Sequence, residues 1–120
     1  MMAERPHPKR GEVWWVKPGK TAGAELQKKR PYVVISADAM GNAPVNIVVP
    51  LKTWQDRFAH WDWVVRIEPT QANGLKRVEA ADVMQLKSFD TGKFSELQGR
   101  LSATEMDDIT AALVIVVEYE

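Results

Sequence analysis

The chain contains no cysteine. That excludes a disulfide framework and any thiolate metal site, and it fits a cytoplasmic setting. Long apolar runs are missing too. No stretch is long enough to span a membrane as a helix, so no membrane association is expected. The opening Met-Met-Ala-Glu-Arg-Pro-His-Pro-Lys-Arg lacks the apolar centre of a signal peptide. Histidine is scarce, at two residues, so few groups titrate near neutral pH. There is no internal repeat and no low-complexity tract. What is present is a chain of 120 residues, 45% apolar and 27% charged. That composition suits one globular domain with its own core. The expected organisation is a flexible N-terminal arm over 1–10 and a single domain over 11–120.

The formal net charge is zero, yet it is unevenly spread. Residues 1–30 hold eight Lys/Arg against three Glu, and residues 31–120 hold eight against thirteen acids. A basic front segment suits either an anionic partner or a charge-solvated tail, and charge alone does not choose between them.

The centre of the chain lies between Lys29 and Leu51. Tyr32-Val33-Val34-Ile35-Ser36 and Val45-Asn46-Ile47-Val48-Val49-Pro50-Leu51 are short, β-branched runs separated by Gly41, Asn42 and Pro44. They predict two buried neighbouring strands. If the pair is antiparallel, Arg30 at the start of one meets Lys52 and Thr53 at the end of the other. A guanidinium beside a hydroxyl at a sheet rim matches phosphate oxygens.

Gly11 to Lys17 reads as the first strand, and the segment from Lys17 to Arg30 as a long basic loop with five Lys/Arg and one Glu. Residues 53–61 form a loop with Trp54, Arg57, Phe58, His60 and Trp61. Asp62–Glu68 alternates as a half-buried strand, and Asn73-Gly74 marks a turn. Glu79–Phe89 predicts one fifth strand carrying Gln85 and Lys87, and Leu97–Leu101 one more short strand. Ser102-Ala103-Thr104-Glu105 is a capping box. Met106, Ile109, Leu113, Val116 and Val117 follow at helical spacing, which predicts a helix over about 103–117. The fold class is mainly β with a C-terminal helix.

Several blocks in order carry a resemblance: Gly11-Glu12-Val13-Trp14, Arg30-Pro31-Tyr32-Val33-Val34-Ile35-Ser36, Val48-Val49-Pro50-Leu51, Gln85-Leu86-Lys87-Ser88-Phe89-Asp90 and Gly99-Arg100-Leu101-Ser102. The chain resembles the MazF/PemK family of toxin–antitoxin endoribonucleases over about 9–117. The resemblance implies a small SH3-like β barrel and a homodimer. It also implies cleavage of single-stranded RNA with no metal or cofactor, and neutralisation by a cognate antitoxin laid across the RNA groove. The basic Lys17–Arg30 segment suits an acidic, partly disordered antitoxin that folds on binding.

In such cleavage the ribose 2′-OH attacks the adjacent phosphate, giving a 2′,3′-cyclic phosphate, and the 5′ oxygen leaves. A base, an acid and a charge stabiliser are needed. Arg30 matches the family's catalytic Arg, with charge stabilisation as its role and proton donation as a second. The family Thr falls at Lys52, with Thr53 one later. A one-residue slip turns a strand side chain to the other face, so either Thr53 reaches the phosphate through a bulge or Lys52 serves as a point charge. Glu25 keeps the family's loop carboxylate. Glu25, Lys28, Lys29, Lys52, Trp54 and Gln85 are candidate RNA-binding residues, through phosphate contacts, base stacking and base edges. Ala24 stands where some members have His, and Asp82 and Met84 where some have an Arg and an Asp. The general base is therefore unassigned; His60 is chemically able but reads better as a surface residue. Two rivals stand beside this reading: a member that binds RNA or antitoxin without cutting, suggested by these departures, and a protein-binding toxin similar to the gyrase poisons, which share the barrel. The last would rely on its C-terminus, and Val117-Glu118-Tyr119-Glu120 matches poorly.

Overall fold

The computed structural model describes residues 6–17, 28–41 and 43–119. Seven strands and one helix follow in order: β1 Glu12–Val16, β2 Arg30–Val34, β3 Val45–Thr53, β4 Val64–Ile67, β5 Glu79–Asp82, β6 Lys87–Asp90, β7 Phe94–Arg100 and α1 Ala103–Val116. All recorded pairings are antiparallel, in the spatial order β4-β5-β3-β2-β1-β7, with β6 also on β3. Among the described residues, no helix is long and apolar enough to cross a membrane.

The β3 strand organises the sheet. Its first half, Val45–Val48, pairs with β6, and its last three residues, Leu51–Thr53, pair with β5. Residues 79–89 therefore do not form the single strand expected. They divide into β5 and β6 around a 3-10 turn at Val83–Gln85, because each pairs with a different half of β3. Gln85 sits in that turn, exposed. The last strand is longer than expected, starting at Phe94.

Strand alternation places apolar residues on both faces. Val13, Val33, Val49, Leu51, Ile67 and Ala81 pack with Met106, Ile109 and Ala112 of α1. Val16, Tyr32, Val34, Val48 and Phe94 form a second cluster on the other face. The helix starts as its sequence dictates: Ser102 Oγ accepts from the Glu105 amide at 3.1 Å, and Glu105 Oε1 accepts from the Ser102 amide at 2.8 Å. Fully burying one side chain such as Ile109 contributes about 1.5–3 kcal/mol.

The sheet curls like a barrel without closing. β4 and β7, at its two ends, do not pair with each other. The turn after β4 bridges them instead. The Arg100 amide donates to Ala72 O at 2.8 Å, and Gln98 Nε2 donates to Gly74 O at 2.9 Å. The approach is so close that a Cβ on Gly99 would lie 2.5 Å from Ala72 O. Gly74 takes a positive φ of 68°, available to it without a side chain.

Candidate active site

The charged strand ends meet at one rim. Tyr32 lies opposite Pro50 in the β2–β3 ladder, so the start of β2 lies beside the end of β3. Arg30, Lys52 and Thr53 line a single open cavity of about 690 Å³, together with Lys29 and Pro31. Lys76, Arg77 and Glu79 approach from the head of β5 and the turn before it. Leu51 and Leu75 are its buried apolar lining. Five cationic residues thus share the cavity with one carboxylate, an arrangement that attracts polyanions.

The register Leu51↔Ala81, Lys52↔Ala80, Thr53↔Glu79 runs without a bulge. Thr53 reaches the cavity as an in-register, exposed residue on the same face as Glu79. Lys52 stands on the opposite face. Its ammonium lies 2.7 Å from Asp82 Oδ2 and 5.0 Å from the centre of the Phe58 ring. Asp82 is buried, so much of the Lys52 charge is taken up inside the protein.

Arg30 is exposed where β2 begins, next to Pro31, which donates no ladder hydrogen bond. Its charge is felt by Tyr32. Burial raises the Tyr32 phenol above its ordinary 10.0, and Arg30 pulls part of that rise back. Lys29 contacts Glu96 at 3.3 Å, a loose surface pair. Lys28 is exposed but outside the cavity lining. Trp54 is half-buried, edge-on to Phe58 and under Arg66, also outside the lining. Gln85 and the exposed His60 do not line it either. Glu25 lies outside the described residues.

Sequence reading missed Glu79. It is 7% exposed, and its Oε1 accepts from Arg77 Nε at 3.3 Å. Its Oε2 is buried with no hydrogen-bond partner among the described residues. Gln98, also lining the cavity, has a second such acceptor in Oε1. Glu79 heads a short, otherwise unremarkable Val78-Glu79-Ala80-Ala81-Asp82 run. Only its pairing with Thr53 gives it significance, and no local signal carries that pairing. Among the described residues, no three His, Asp or Glu side chains gather as metal ligands.

A family model described as PemK-like, MazF-like toxin of type II toxin–antitoxin system matches residues 9–117. The chain belongs to this toxin family. No curated protein matches it significantly in sequence. Solved structures carry the likeness further in fold. A MazE–MazF crystal structure from Deinococcus radiodurans superposes with a TM-score of 0.75 at 18% identity, over 96% of this chain and 99% of that one. A mycobacterial endoribonuclease in complex with its cognate antitoxin gives 0.74 at 17%, over 94% and 97%. The Mycobacterium tuberculosis toxin MazF-mt6 gives 0.72 at 14%, over 91% and 98%. Within this PemK/MazF-like toxin, the cavity lies where the starts of β2 and β5 converge on the end of β3.

Proposed function

We propose that the chain is a metal-independent, sequence-specific endoribonuclease toxin that cuts single-stranded RNA by 2′-OH attack, leaving a 2′,3′-cyclic phosphate. The observation that carries this reading is the shared cavity of Arg30 and Thr53 in a chain of the PemK/MazF family. In it, Arg30 stabilises charge on the phosphate as the 2′ oxygen attacks, a task suited to a planar guanidinium. The Thr53 hydroxyl holds a phosphate oxygen without any bulge in β3. Lys28 and Lys29 neutralise flanking phosphates. Lys52 acts from its pair with Asp82, raising the local potential rather than gripping a phosphate. Trp54, partly open, offers a stacking face, Gln85 a base-edge contact, and Glu25 a loop carboxylate.

The partner in inhibition is a cognate antitoxin with an acidic, partly disordered segment that occupies this cationic cavity. The protein works as a cytoplasmic homodimer. Met84, Leu86, Ile115 and Val117 are 58%, 38%, 60% and 61% exposed in the single chain. A dimer that covers such residues avoids a large apolar surface. A lone 13.5 kDa species in micromolar light scattering would count against it.

A non-cutting RNA binder is the second reading. It is favoured by Met84, which cannot ionise, and Asp82, which is buried in its ion pair. Mixed RNA incubated with the protein in chelator separates the two. Fragments with cyclic phosphate ends support the enzyme; intact RNA with a gel shift supports the binder.

A further inference from the structure

On the reading that this toxin cleaves RNA, we propose that Glu79 is the general base that takes the 2′ proton.

The carboxylate is built into the cavity. Glu79 is directly opposite Thr53 in the β3–β5 ladder. Side chains so paired start about 4.5–5.5 Å apart at their β carbons. In RNA the 2′ oxygen is attached one bond from the carbon bearing the reacting phosphate. A phosphate held by the Thr53 hydroxyl therefore brings its 2′-OH within reach of the neighbouring carboxylate.

The carboxylate is also under-used. A buried acceptor without a hydrogen bond costs about 1–3 kcal/mol. Glu79 Oε2 is such an acceptor among the described residues, and the other oxygen has one loose contact, to a guanidinium 67% exposed. Rotation about the last side-chain bond interchanges the two oxygens at little cost. A donor arriving with substrate would relieve the unmet acceptor. The 2′-OH is a donor of that kind. Cations share the cavity with the group: Lys29 and Arg30 at the start of β2, Lys76 and Arg77 ahead of β5, and Lys52 from the opposite face of β3.

The step balances. The 2′ O–H bond breaks and its proton passes to a Glu79 oxygen. The 2′ oxygen bonds to phosphorus, and the bond from phosphorus to the 5′ oxygen breaks. That oxygen takes a proton from water, and the hydroxide so formed removes the proton from Glu79. The products are a 2′,3′-cyclic phosphate and a 5′-OH, with the carboxylate regenerated.

The test is single-turnover cleavage of one RNA oligomer across pH 5–9 by the full chain and by Glu79→Gln, Glu79→Asp and Arg77→Ala, with thermal melting and RNA affinity measured on each. A general base of this type contributes about 10²–10⁴-fold. The expected result is a loss of that size in Glu79→Gln with disappearance of the acid-side fall in rate, partial recovery in Glu79→Asp, and in Arg77→Ala a much smaller loss that keeps the acid-side fall, since Arg77 lines the cavity without taking the proton. Parental rate and pH profile in Glu79→Gln would overturn the proposal while leaving the nuclease reading intact. So would an altered base preference with the acid-side fall retained, which would make Glu79 a reader of base edges. An equal loss in Arg77→Ala would also overturn it, since Glu79 would then act only by holding Arg77. If Glu79→Gln melts well below the parent, Glu79→Asp decides: a folded variant that cuts at the parental rate, despite a carboxylate drawn back by one methylene, rejects the base. A parent that leaves RNA intact rejects the nuclease reading and this proposal together.

Discussion

Two buried carboxylates stand on β5, three residues apart, and they are used differently. Asp82 receives the Lys52 ammonium at 2.7 Å, with Phe58 beneath that ammonium. Glu79 receives Arg77 at 3.3 Å from a side chain mostly in solvent. Both have one oxygen with no partner among the described residues. The pleat separates them: Asp82 shares a face with Lys52, and Glu79 shares a face with Thr53 and the cavity. The contrast teaches that a buried acid with a short, shielded partner reads as part of the scaffold. A buried acid with a loose, exposed partner at a cavity wall reads as available for chemistry.

The contrast can be broken most severely at Lys52. Lys52→Met removes the shielded partner and leaves Asp82 buried without compensation. Full burial would cost about 3–5 kcal/mol. Lys52 is 35% exposed, so water offsets part of this, and about 2 kcal/mol is expected, visible in urea unfolding. A smaller loss follows for Asp82→Asn, which keeps the shape but weakens the bond to Lys52. About 1 kcal/mol is expected there, the difference between a charge-assisted and a neutral hydrogen bond. Arg77→Ala should change stability least of the three, by less than about 0.5 kcal/mol, because exposed pairs contribute little. A Lys52→Met cost no larger than that of Arg77→Ala would remove the distinction between the two acids.

A third buried ionisable group sharpens the point by pH. Tyr32 is held above its ordinary 10.0 by burial. Just above that pH the unfolded chain has lost the phenol proton and the folded chain keeps it. Stability therefore falls as pH rises past 10. Tyr32→Phe should flatten that alkaline slope while changing little at pH 7, which melting at pH 8 and pH 10.5 would check.

Much of this molecule could be read from residues. The capping box of Ser102 and Glu105, the apolar spacing through Ile109, and the β-branched runs around Val33 and Val48 are local signals, and each formed the element expected. The meeting of Arg30 with Lys52 and Thr53 followed from assuming one antiparallel pair, which the ladder contains. The break at Val83–Gln85 was not legible. Nothing in Val83-Met84-Gln85 forbids a strand; the break arises because β5 and β6 use different halves of β3. Glu79 was hidden for the same reason, since its meaning depends on a partner 26 positions earlier in the chain. No bulge is present at Thr53: the plain register sets Thr53 and Lys52 on opposite faces of β3, and both still line the cavity.

We propose Arg30 as the charge-stabilising group of a metal-free RNA cleavage site. Single-turnover cleavage of one RNA oligomer in chelator, comparing the parent with Arg30→Lys, tests it most directly. Lysine keeps the charge but loses the bidentate fork. The rate should fall by about 10²–10³-fold, with the melting temperature unchanged and RNA affinity reduced far less, because the neighbouring lysines still neutralise phosphates. A variant that melts like the parent and cuts within about threefold of its rate, well short of the loss expected for a preorganised donor, would contradict the claim.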